Sequence, residues 1–377
     1  MLGRFMNNYY YGKSGKGDYT PDDLPKNRWQ LFLEMLRTRM SALCRLNLVY
    51  VLPWLPTLIV LGMFYTNTTS MLNYPYQVDA LLQQINAGQQ LEDGSVQVTL
   101  QDGSTEVYSA QDIASLRELD AIPDEELAAE SAQYIQSQTL LTLLLLVPCI
   151  FITGPWTAGV AYVTRNWARD EHAFVWSDCK DAMKENWKGA LVLSGITSVV
   201  PLLVYLCWTF YGEMPAESPV MMVLLQLGQM IPLMVGMIWY MAVTYAYPML
   251  VTYKMSVWTV IRNSLILAVG RLPLSVGVRL LLVLPAALGV FGMLFISSTW
   301  APLILLAYYI LFGFTFSRFI TASYTNAQFD KFINNRIEGA QVNRGLAEED
   351  DDDWEDDEDE GEKEIKPWEN GYANRGE

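Results

Sequence analysis

Apolar positions along the chain gather into six runs of about 18–30 residues, the length an α-helix needs to cross roughly 30 Å of hydrocarbon. They lie at 46–65 (LNLVYVLPWLPTLIVLGMFY), 139–163 (TLLTLLLLVPCIFITGPWTAGVAYV), 190–211, 219–250, 272–297 and 300–316. This pattern predicts an all-α polytopic membrane protein, a six-span helical bundle. The polar segment 66–138 differs. Val96–Leu100 and Thr105–Ser109 alternate apolar and polar residues and flank Gln101-Asp102-Gly103-Ser104, which predicts a β-hairpin. Val78–Gly88 and Ala110–Leu119 read as helices. Pro123-Asp124-Glu125-Glu126-Leu127 reads as a helix start leading into the second span. Residues 66–138 therefore read as a small mixed α/β extracytoplasmic insertion. Its thin core predicts support from the bundle or from a second copy.

Two segments have amphipathic spacing. Within 1–45, Trp29, Phe32, Leu33, Leu36, Met40 and Leu43 recur at helical intervals beside Arg28, Glu34, Arg37 and Arg39. That suits either a helix lying in the membrane surface or the first turns of a longer bundle helix. Within 164–189, Trp176, Cys179, Met183 and Trp187 share a face beside Lys180, Lys184 and Lys188. These lysines are candidate headgroup contacts, each contributing about 1 kcal/mol near an anionic surface; the alternative is an ordinary connecting helix. Residues 1–28 lack the apolar core of a cleavable signal peptide, so the first span is expected to act as its own insertion signal.

Charge fixes an expected orientation. Eight Lys or Arg precede the first span, five lie between 164 and 189, and Lys254, Arg262 and Arg271 follow the fourth span. The alternate segments are nearly empty of base: 66–136 holds Arg117 against twelve acids, and 211–218 and 297–302 hold no Lys or Arg. The positive-inside rule then puts both termini in the cytoplasm; a plasma membrane is the expected location. The net charge of −16 comes mainly from Glu348–Glu364, which has 14 acids and one base. The rest of the chain has 27 acidic and 24 basic residues. The segment 317–377 is expected to be a cytoplasmic tail, disordered and acidic from about 340. An acidic chain of this kind is a poor nucleic-acid binder, so the lipid bilayer is the first expected partner.

No catalytic pattern is present: no P-loop, GxSxG or HExxH. His172 is the single histidine, and Cys44, Cys149, Cys179 and Cys207 form no CxxC pair. No enzymatic activity, cofactor or metal is expected. The candidate polar or hinge sites lie in the membrane segments. Gly154-Pro155-Trp156, flanked by Thr153 and Thr157, could open a helix end towards a cavity, or form a kink where another helix packs. Arg279, about two turns inside the fifth span, and Arg271 at its edge could meet an anionic substrate or lipid, or snorkel to the interface. Asn47, near the start of the first span, could hydrogen-bond to another helix or to Arg279.

Three stretches together resemble the YesL-type family of bacterial membrane proteins: Asn47–Leu58 (NLVYVLPWLPTL), Thr153–Arg169 (TGPWTAGVAYVTRNWAR) and Phe174–Leu191 (FVWSDCKDAMKENWKGAL). Arg262–Val269 (RNSLILAV) also fits. The resemblance covers most of the membrane part, but neither the insertion nor the acidic tail. It implies no reaction that transfers to individual residues. It does imply association with carbohydrate uptake and degradation systems of Gram-positive bacteria. The leading expectation is thus a non-enzymatic accessory to solute uptake. Its partners would be transport permease subunits, or an external protein meeting 66–138, and an oligomer is compatible with this. The alternatives are a transporter that uses its proline-broken helices, and a scaffold or sensor.

Overall fold

The computed structural model describes residues 24–92, 94–99 and 104–347. The expected hairpin turn at Asp102-Gly103, the first 23 residues and the acidic run from Glu348 lie outside the described residues. By backbone contacts the chain divides into two units, 1–31 with 345–377, and 32–344. In the first, the Ala347 N–H donates to the Pro25 carbonyl (3.0 Å). Asn27 Oδ1 accepts from the Gln30 N–H (2.9 Å), capping the helix that begins at Arg28.

That helix, α1, runs from Arg28 to Ala87 without interruption, through Pro53, Pro56 and Pro75. Sixty residues at 1.5 Å each make it about 90 Å long, some three times the thickness of a bilayer core. The surface helix considered for 27–43 is therefore the opening of α1. Its buried stripe is also shifted: Met35, Leu43, Leu46, Asn47 and Tyr50 are buried, while Leu33 and Met40 are exposed. Phe32 stacks on Phe319 at 5.4 Å, so this stretch is covered by protein along one side.

Three short strands follow: β1 (Gln89–Gln90), β2 (Val96–Thr99) and β3 (Thr105–Tyr108). They form an antiparallel meander with Gln89 opposite Gln97, Val96 opposite Tyr108 and Thr99 opposite Thr105. Gly88 makes the turn into β1. A Cβ there would lie 2.6 Å from Val96 Cγ1 and 2.8 Å from the Gln97 carbonyl oxygen. Helix α2 (Ala110–Asp120) opens on a reciprocal capping box between Ser109 and Asp112. Ile85, Val98 and Ile113 are buried together beneath this sheet.

The remaining helices are α3 (Asp124–Phe151), α4 (Gly154–Trp167), α5 (Ser177–Glu213), α6 (Pro219–Thr252), α7 (Val257–Gly270), α8 (Leu272–Phe295), α9 (Trp300–Tyr308) and α10 (Phe314–Phe332). A π-helical turn, Tyr309–Gly313, joins α9 to α10. Among the described residues six helical segments are long and apolar enough to span a membrane. The sixth continues well past Phe316, where its apolar run ends. The expected single span over 139–163 is divided, because α3 stops at Phe151 and α4 starts at Gly154. The basic segment 164–189 is not a separate surface helix either. Its second half is the start of α5, where Cys179 and Ala182 are buried.

Burial is uneven along these helices. Ala158, Ala161, Ala190, Leu193, Tyr245, Ala246, Met249, Val260 and Phe329 form one core. It joins α4, the first half of α5, the last half of α6, α7 and α10, at the end of the bundle that carries Arg165, Arg169 and Lys180. Towards the opposite end Leu280, Leu284, Leu288, Phe291 and Leu294 of α8 and Leu224, Ile231 and Met234 of α6 are exposed. Apolar surface on that scale is what a lipid environment covers.

Candidate functional site

Asn47 is fully buried. Its Nδ2 donates to the carbonyls of Tyr309 (2.9 Å) and Ile310 (2.7 Å), inside the π-helical turn. Its Oδ1 accepts from the Thr315 N–H (2.9 Å) and lies 2.8 Å from the Thr315 hydroxyl. A π-helical turn shifts the i to i+4 ladder by one residue and leaves backbone groups without their usual partners. In a setting without water such groups need a side chain to meet them. Asn47, with donor and acceptor on one amide, does both for the α9–α10 junction. It makes no bond to Arg279.

Around this junction lies a cavity of about 170 Å³, lined by Tyr50, Trp54, Tyr240, Arg279, Leu282, Phe314, Ser317, Arg318 and Thr321. Trp54 stacks on Phe314 at 5.2 Å. The Tyr50 hydroxyl is 2.8 Å from Thr157 Oγ1, which itself donates to the Thr153 carbonyl, so Tyr50 is the donor. The Arg279 guanidinium sits over the Tyr240 ring at 4.1 Å, and that of Arg318 over Tyr247 at 5.6 Å. The lining contains two arginines and no carboxylate. Arg279 Nε and Nη2 and Trp54 Nε1 are shielded from solvent and have no hydrogen-bond partner.

The Gly-Pro break is closed instead. Pro155 has no N–H to offer the Phe151 carbonyl four residues earlier. Ser194 Oγ on α5 donates to that carbonyl at 2.7 Å. A Cβ on Gly154 would lie 2.5 Å from the Ala190 carbonyl oxygen, and one on Gly159 2.6 Å from that of Cys179. Thr153 Oγ1 bonds to the Ile150 carbonyl at 2.7 Å. Both threonine hydroxyls donate within their own turns, and Thr157 Oγ1 also accepts from Tyr50. The break serves close packing of α4 on α5.

The other candidates are scattered. Arg271 lies outside α8, at the α7–α8 junction. Its Nε donates to Gln328 Oε1 (3.2 Å), and its guanidinium lies over Phe332 at 5.3 Å. It lines a different cavity, of about 830 Å³, with Lys254 and Arg336. Lys180, Lys184 and Lys188 are exposed along α5, with Lys188 Nζ over Trp187 at 5.6 Å. Sequence reasoning missed Trp54, Tyr240, Ser317, Thr321 and the pairing of Arg279 with Arg318. The one available signal was a second arginine just beyond an apolar run.

A family model described as "Protein of unknown function, DUF624" matches residues 138–208. The matched stretch covers the end of α3, all of α4 and most of α5, hence the closed Gly-Pro break and Ser194, but neither Arg279 nor Arg318. No curated protein and no solved structure matches the chain.

Proposed function

We propose that the protein is a non-enzymatic, multi-pass component of a bacterial plasma membrane, with both termini in the cytoplasm, that serves a solute-uptake system as an accessory. The observation that carries this reading is the closed Gly-Pro break. The point where a broken helix would open a path is filled by Ser194 and the Ala190 backbone. The unbroken α1 supports it further, as a continuous rod from the basic end of the bundle to the three-stranded sheet. The YesL-type resemblance supports carbohydrate as the solute class and permease subunits as partners. An external protein could meet the groove of about 330 Å³ lined by Ile85, Gln90 and Arg117.

One observation favours a second reading, a transporter in its own right: the cationic cavity at Arg279. Uptake separates the two. The purified protein alone in liposomes should move a panel of sugars no faster than empty vesicles do. Its deletion in cells should lower uptake of at least one of them, and in-cell cross-linking should recover permease subunits. Protein-dependent uptake into vesicles containing nothing else overturns the accessory reading.

A further inference from the structure

Every unmet hydrogen-bonding atom among the shielded side-chain atoms of the Arg279 cavity is a donor: Arg279 Nε, Arg279 Nη2 and Trp54 Nε1. The hydroxyl protons of Ser317 and Thr321 are already given to the Gly313 and Ser317 carbonyls (both 2.8 Å). Their oxygen lone pairs remain acceptors, but neutral hydroxyls do not neutralise the guanidinium. Two arginines line the space without a carboxylate. A guanidinium with Nε and Nη2 shielded and unmet in this way is costly, and the cost is removed by an acceptor that also carries negative charge. Water would satisfy the donors but not the charge. About 170 Å³ holds some five or six waters' worth of liquid. That is room for one tetrahedral oxyanion.

We infer that the cavity between α1, α6, α8 and α10 is a binding site for a phosphate group, gripped by Arg279 and Arg318 with Trp54 Nε1 as an additional donor. The planar fork of arginine matches phosphate oxygens in pairs. Tyr240 also borders a groove of about 580 Å³ between α5 and α6, lined by Val200, Val204, Trp208, Leu233 and Met237. An acyl chain fits such a groove. The phosphate can therefore come from a lipid headgroup or from a free phosphate in water. This inference does not rest on the accessory reading and survives its failure.

The test uses the purified full-length chain in a non-ionic detergent. One arm titrates short-chain phosphatidylglycerol and the other inorganic phosphate, with binding read by thermal shift and native mass. At least one arm should saturate at one equivalent. Arg279→Gln and Arg318→Gln should each weaken it at least tenfold, and Arg262→Gln, on the exposed face of α7, should leave it unchanged. Saturation by the lipid alone assigns the headgroup; saturation by phosphate alone assigns the free anion. Either supports the site. Arg279→Met guards against misfolding: without ligand it should melt at or above the wild type, because an unpaired buried charge has been removed, and it should bind neither probe. The inference is overturned if neither arm saturates. It is also overturned if binding persists undiminished in both glutamine variants, or if Arg279→Met melts below the ligand-free wild type.

Discussion

Helices α4 and α8 are both apolar, yet they sit in different solvents. Ten of the fourteen residues of α4 are buried, and most are Gly, Ala, Thr or Val. Of the 24 residues of α8, only Ser275 and Gly292 are buried. Leucines crowd the rest of α8, and all but Leu282 face outward. Small residues let helix backbones approach and lock together through van der Waals contact and side-chain hydrogen bonds; large ones are left to lipid, which is as apolar as they are. Side-chain size, more than hydrophobicity, therefore separates α4 from α8. The matched family stretch contains α4 entirely and α8 not at all.

The sharpest way to break this contrast is to enlarge a glycine in each region. Gly154→Val drives a side chain into the Ala190 backbone, which cannot yield. The expected cost exceeds about 3 kcal/mol, seen as loss of monodisperse protein in detergent. At Gly277 of α8 nothing lies within 4 Å of an added Cβ. Gly277→Ala should stabilise by about 0.5–1 kcal/mol through helix propensity. Equal losses at both positions would refute the division.

Asn47→Leu comes next. It keeps the branching of the side chain but leaves the Tyr309 and Ile310 carbonyls and the Thr315 N–H without their partner. A loss of roughly 2–4 kcal/mol is expected, measured as a lowered melting temperature in detergent. Retention of full stability would mean that the π-helical turn needs no side chain to complete it. Ser194→Ala asks the same of the Gly-Pro break at a single bond. It should cost about 1 kcal/mol, and Ser194→Thr should recover part of it.

These sites also mark how far the sequence can be read. The six apolar segments follow from composition within each window, because hydropathy is a local property. Asn47 and Thr315 are 268 positions apart, and no local pattern states that one completes the other's helix. The π-helical turn lies in Tyr309–Gly313, within an apolar run that reads as ordinary helix. Arg318 lies just past that run and reads as tail, because polar residues follow it; tertiary contacts with α1 and α4 keep α10 helical beyond that point. At Gly154 the residues permitted either an opening or a packed kink. Ser194 and Ala190 on α5 decide between them, and the spacing along α4 contains no trace of that choice.

The smallest effect lies outside the spans, where charge replaces packing as the local determinant. Asp112 is exposed at the start of α2, and hydrogen bonds from Ser109 Oγ (2.7 Å) and the Ser109 N–H (3.1 Å) hold its carboxyl below the ordinary range. A depressed folded value means that the carboxylate form binds better to the folded state. The stabilisation is fully present above the unfolded value and is lost as pH falls through the folded one. Amide exchange at the first turn of α2 should therefore accelerate as the pH drops through and below the usual carboxylate range, after correction for intrinsic exchange. Asp112→Asn should remove that dependence while leaving exchange in α4 untouched. Exchange in α4 that followed the same titration would show the two regions to be coupled.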